Sequence, residues 1–238
     1  MNWTLKALSA LLTYPTAELK AAAGEFSEVL DADRLIPVRI RDQLHALLTE
    51  LAIGDLYDLQ ERYVLLFDRP RSLSLYLFEH VHGESRDRGQ AMIDLKTQYE
   101  EAGLAMDTGE LPDFVPLFLE YLATLPREEG CKTLGQPAHI FSALAERLRK
   151  RRSPYEAVFR ALVALADAKP EAEALSALLQ EPDIDANDLA ALDAAWEDEP
   201  VSFGPDAGGC KVGLIARVRG ALRPAPDMPP ATRPNPRQ

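Results

Sequence analysis

The chain has 238 residues, 47% hydrophobic and only 7% aromatic, with a formal charge of -12. Abundant Ala and Leu beside few aromatics favour helix packing over a β-sandwich, and the acidic balance argues against a nucleic-acid binder. Two cysteines 79 positions apart, Cys131 and Cys210, form no CxxC pair, which argues against a disulfide framework or a zinc site and fits a reducing compartment.

Taken in order, Leu5, Leu8, Leu11 and Leu12 recur at helical spacing until Tyr14-Pro15 ends the run, giving an amphipathic first helix. A secretory signal would need a basic leader before this run, and no window approaches the roughly 20 apolar residues of a membrane span. The expectation is a cytoplasmic protein with no stable membrane association. Thr16 is placed to cap a second helix to about Leu30. Pro37 opens a third through Ile40, Leu44, Leu47, Leu48 and Leu51, stopped by Gly54, and Asp55 starts a fourth with Leu56, Leu59, Tyr63 and Leu66 aligned.

Asp68-Arg69-Pro70-Arg71 breaks the pattern. Ser72 then reads as the N-cap of a helix through His82, Gly83 as its stop, and a further helix carries Met92, Leu95 and Tyr99 inward to Gly103. Pro112 and Pro116 fix a rigid entrance to an apolar helix ending at Leu125. Helices are expected from Ala138 to Lys150, from a Ser153-Pro154 cap to Ala168, from Pro170 to Gln180 and from Asn187 to Trp196. Six prolines from Pro224 onward mark a Gly/Pro-rich C-terminal tail that cannot bury enough apolar surface to order itself. The fold class is all-α: a single helical-bundle domain of nine to eleven helices over residues 1–200 and a disordered tail over 201–238. Charge is uneven, with -10 over Asp167–Glu199 and +5 over Lys211–Gln238. The acidic stretch reads as a solubilising face, with a second partner contact as the alternative.

The densest chemistry lies between Phe67 and Met92. His80 and His82 invite a metal reading, yet residues two apart on a helix point about 200° apart, which disfavours one shared ion. A metal-dependent hydrolase using His80, His82 and Glu84 is the alternative function class. Glu84, Arg86, Asp87 and Arg88 carry alternating signs, as expected of ion pairs in a first helical turn or of ligand recognition. Glu110 and Asp113 flank Pro112. Asp113 reads as a helix cap, or both acids face a cationic partner. The basic run Arg147–Arg152 reads as a solvated helix end. Leu75, Phe78 and Val81, three apart, either fill the core or accept the apolar face of a partner helix. Phosphate loops, nucleophile elbows and HExxH motifs do not occur, which favours a binding protein over an enzyme.

Phe67-Asp68-Arg69, the run Leu77-Phe78-Glu79-His80-Val81-His82-Gly83-Glu84-Ser85-Arg86-Asp87-Arg88-Gly89-Gln90-Ala91-Met92, and Glu110-Leu111-Pro112-Asp113 resemble the NarJ-type chaperones of respiratory nitrate reductase. These belong to the wider TorD/DmsD family of redox-enzyme maturation proteins. The resemblance spans about residues 5 to 200 and implies an all-helical cytoplasmic chaperone, with no enzymatic activity and no bound cofactor of its own. It implies binding to the apo catalytic (alpha) subunit through that subunit's N-terminal segment, holding it open for the molybdenum cofactor before membrane docking. Molybdenum-cofactor biosynthesis proteins are further implied partners. The implied client-peptide surface comprises Leu75, Phe78, Glu79, His80, Val81, His82, Gly83, Glu84, Arg86 and Asp87, with Glu110, Pro112, Asp113 and Phe114. The wider family often has His after the Pro-Asp pair; Phe114 in that place makes the pocket more apolar.

Overall fold

Eleven α-helices form among the residues that the computed structural model describes, which are 2–81, 86–106, 109–183 and 188. Apart from residue 188, the expected helix over 187–196 lies outside them, as does the tail from 201. Helix α1 (Trp3–Leu11) is capped by Asn2, whose side chain accepts from the Leu5 amide. Thr16 caps α2 (Ala17–Ala21) as its sequence suggests, but the expected single helix is two, with α3 (Ala23–Asp33) starting after Ala22. Helix α4 (Val38–Ile53) stops at Gly54 for reasons of space: a Cβ there would lie 2.8 Å from the Glu50 carbonyl oxygen and 3.3 Å from the Leu59 side chain. Asp55 caps α5 (Leu56–Tyr63), accepting from the amides of Tyr57 and Asp58. The helix continues into a π-helical turn, Val64–Asp68, closed by the Arg69 amide on the Val64 carbonyl.

Helices α6 (Arg86–Glu101), α7 (Val115–Thr124), α8 (Arg127–Leu134), α9 (Ala138–Lys150), α10 (Glu156–Leu165) and α11 (Ala172–Gln180) complete the order. Sequence periodicity misses α8, because it buries Gly130, Thr133 and Leu134 and has no apolar stripe of the usual width. Gly130 lets α8 approach α7, since a Cβ there would sit 3.0 Å from the Leu122 carbonyl. Ser153 does not cap α10. Tyr155 holds the N-cap position, and the Ser153 hydroxyl is buried with no partner among the described residues.

Helix α1 lies along α7, tied by Ser9 Oγ donating to the Pro116 carbonyl at 2.8 Å and by the Asn2 amide on Ala123 at 2.8 Å. Helices α9 and α10 pack together, and α10 leans on α4. Between these layers Tyr63, Phe67, Tyr155, Phe159 and Phe141 run as a chain of tilted or edge-on ring contacts. Such pairs add to burial because ring edges meet ring faces. This aromatic spine underlies the segment 69–81, a long stretch of the body without a helix of more than four residues.

Candidate functional site

The expected helix from Ser72 to His82 does not form. The segment instead takes a 3-10 turn at Arg71–Leu73, extends through Ser74, Leu75 and Tyr76, and takes a second 3-10 turn at Leu77–His80. The reason is long-range pairing. Tyr76 bridges antiparallel to Phe114, the Val115 amide donates to Leu75 at 2.8 Å, and the Leu77 amide donates to Asp113 at 3.0 Å. Backbone groups committed across the molecule cannot also serve a helical ladder.

Asp113 is fully buried and is not a helix cap; Phe114 occupies the N-cap of α7 without a side-chain bond. The Asp113 carboxylate accepts from the Phe78 amide at 2.9 Å, while its Oδ1 has no donor among the described residues. Burial pushes its pKa up to about 6, against the opposing effects of the Phe78 amide and the Arg88 charge. Tyr99 supports the same turn by donating to the Pro112 carbonyl at 2.7 Å. An acid so enclosed cannot meet a partner's arginine, so its role is to hold the backbone.

Leu75 and Phe78 face the core, at 2% and 7% exposure, and Val81 is partly buried against it. The apolar spacing of these three therefore reports packing. His80 is partly buried with Nε2 2.9 Å from the Ser74 carbonyl, and enclosure together with the nearby Arg147 charge lowers its pKa to about 4. It is thus a neutral donor bracing its own loop. His82, Gly83, Glu84 and Ser85 lie outside the described residues, as do the side chains of Arg86 and Asp87. Among the described residues no His, Cys, Asp and Glu cluster could hold a metal ion, and no helix is long and apolar enough to cross a membrane.

What reaches the surface is a small mixed corner. Tyr76 stacks on Phe114, rings 5.4 Å apart and tilted by 36°, and its hydroxyl donates to exposed Glu110 at 2.5 Å. Leu111 is exposed beside them, and Glu79 pairs with Arg88 at 3.4 Å. Burial and the Glu110 carboxylate both raise the Tyr76 hydroxyl's pKa, so it stays a donor. The corner offers aromatic faces ringed by acids, a chemistry suited to an apolar segment carrying basic residues.

Two residues that sequence reasoning misses complete the site. Tyr76 escapes it by falling between the periodic apolar positions. Arg147 is not solvated, as its basic run suggests, but 1% exposed. It donates to the carbonyls of Ser72 and Leu178 and lies 3.8 Å from Glu181, so it clasps the segment to α11. A signal for this exists in the sequence: Arg147 stands three after Leu144 and seven after Ile140, on the apolar face of α9. Arg151 also leaves the solvated class, pairing with Asp183 at 2.7 Å.

Residues 13–161 match the family described as nitrate reductase delta subunit. The chain is 42% identical over 220 residues to the nitrate reductase molybdenum cofactor assembly chaperone NarJ of Escherichia coli (strain K12), covering 91% of this chain and 93% of that protein. It is 39% identical over 199 residues to the probable nitrate reductase molybdenum cofactor assembly chaperone NarW of the same strain, covering 84% and 83%. The probable NarJ chaperone of Bacillus subtilis (strain 168) is 31% identical over 161 residues, 68% of this chain and 86% of that one. The chain belongs to the nitrate reductase delta subunit family and is of the NarJ type within it.

Proposed function

We propose that this protein is a cytoplasmic maturation chaperone that binds the apo catalytic subunit of a nitrate reductase by its N-terminal segment. It holds that subunit competent for molybdenum cofactor insertion before membrane docking, and molybdenum-cofactor biosynthesis proteins act on the held client. Kinship with chaperones named for nitrate reductase supports the role. The observation that carries the placement is the Tyr76–Phe114 stack rimmed by Glu79 and Glu110, standing on a loop whose backbone is fixed from below by Asp113. A partner's apolar side chains would lie on the rings and its basic residues would meet the two acids. Leu75, Phe78, Pro112 and Asp113 shape the floor and Val81 adjoins them, while His82, Gly83, Glu84, Arg86 and Asp87 join the proposed contacts on the resemblance alone. His80 braces the loop in this reading, and catalysis has no part in it.

The test is calorimetric titration of the full chain with a synthetic peptide of the first 15 or so residues of the catalytic subunit. Saturable binding is expected, and Glu110→Gln should weaken it about tenfold, since charge-assisted contacts are worth roughly 1.5–3 kcal/mol. A folded protein that captures the full subunit yet ignores the peptide would overturn this placement.

A further inference from the structure

A second surface adjoins that corner, close enough that the Glu110 charge acts on Asp68. A groove of about 380 Å³ opens between the end of α1 and the outer face of α5, lined by Tyr14, Tyr57, Asp58, Glu61, Leu65 and Arg69 among others. Tyr57 is 80% exposed and Tyr14 46%. The π-helical turn displays Val64 and Leu65 on its floor while sending Leu66 and Phe67 into the core. Two acids and one base line it, and exposed Asp68 adjoins Arg69. Apolar floor, aromatic rim and net negative charge call for a short apolar segment bearing cations.

Such a segment exists in the same chain. Residues 211–223 read Lys-Val-Gly-Leu-Ile-Ala-Arg-Val-Arg-Gly-Ala-Leu-Arg, with four bases and no acid in a protein of net charge -12. Leu214, Ile215, Val218 and Leu222 recur at helical spacing, and Arg217, Arg219 and Arg223 flank them. The route is short at its start. Asp183 accepts from Ser72 Oγ at 2.8 Å and from Arg151 at 2.7 Å, so the chain sets out toward its C-terminus beside Ser72. Arg69 of the groove is three residues upstream of Ser72, within about 11 Å along the chain.

We propose that residues 211–223 dock in cis in the groove between Tyr14, Tyr57 and Leu65, with their arginines toward Asp58, Glu61 and Asp68. The 27 residues between Asp183 and Lys211 are long enough to bring 211–223 to the groove, since an extended residue reaches about 3.3–3.6 Å. Covalent attachment makes the contact intramolecular, so even a weak affinity can fill the groove. A second copy is disfavoured as the occupant, because two strongly acidic bodies repel.

A photo-crosslinking amino acid placed at position 57 of the full chain tests this without disturbing the core, since Tyr57 is exposed. Illumination should give a cross-link within one chain, mapped to 211–223 by mass spectrometry, with a yield unchanged on tenfold dilution. The triple variant R217E/R219E/R223E should reduce that yield about tenfold, as expected for loss of several exposed ion pairs. Cross-links only between two chains, or to segments other than 211–223, or a yield indifferent to the charge reversal, would each overturn the proposal. The first result would assign the groove to self-association, and the second to another segment of the chain.

Discussion

The central loop is held at its two ends by buried charges of opposite sign, and they work differently. At the Ser72 end Arg147 spends its guanidinium on two carbonyls and keeps an acid within reach, so its charge is answered from several sides. At the Phe78 end Asp113 has one amide and an orphaned oxygen, and the Arg88 charge acts on it without a direct bond. A guanidinium stays ionised through the ordinary pH range, whereas a carboxyl in such a place takes up a proton. The base is therefore a permanent clasp and the acid a titratable one.

The largest effect should come from cutting the permanent clasp. Arg147→Met keeps the volume but leaves the Ser72 and Leu178 carbonyls buried without donors, and should cost about 3–5 kcal/mol, read by urea denaturation. A loss under about 1 kcal/mol would mean that water or a rearranged α11 serves those carbonyls, and the contrast would collapse.

The titratable clasp is tested against its neighbour. Asp113 has its pKa raised from 3.8 to about 6, so the folded state binds the extra proton and stability rises as pH falls through 6 toward 4. His80 is lowered from 6.5 to about 4, so the unfolded state binds the extra proton and stability falls over nearly the same window. In the wild type the two largely cancel. Asp113→Asn should expose the histidine's loss on acidification and His80→Gln the aspartate's gain, each on the order of 2 kcal/mol between pH 6.5 and 4. Thermal melts at both pH values read the difference; parallel slopes in the two variants would refute the opposition.

The smallest effect sharpens the Ser72 end. Ser72→Ala removes the exposed hydroxyl contact with Asp183 but leaves the Ser72 carbonyl on Arg147, and Arg151 still holds Asp183. A loss of about 0.5 kcal/mol is expected by the same denaturation. A loss rivalling that of Arg147→Met would shift the clasp from the carbonyl to the hydroxyl.

These contrasts mark where sequence reading succeeds. Helix α9 is legible to the residue, because Ile140, Phe141, Leu144 and Leu148 make a full-width stripe after Pro137 and basic residues close the last turn. Around the site the same reasoning reads Leu75, Phe78 and Val81 as a helical stripe, since a stretch dense in Leu and Phe reports burial whatever its backbone does. The bridge from Tyr76 to Phe114 spans 38 positions and leaves no periodic trace. Asp113 looks like a cap because a short acid before an apolar helix usually is one; only the placement of the Phe78 amide redirects it. Arg147 is hidden by its basic neighbours, although its phase within α9 sets it apart.

The π-helical turn at Val64–Asp68 carries a consequence for lineage. Such a turn amounts to an α-helix with one residue inserted, and the insertion is absorbed locally rather than passed along the chain. Removing a single residue between Val64 and Asp68 would therefore restore α geometry there and leave the downstream chain in its present phase. Pro70 and the loop beyond it would still leave the bundle on the same side. In relatives of this chain, gain or loss of one residue at this turn would thus leave the loop's aim unchanged, whereas the same change within α5 would rotate all that follows by about 100°.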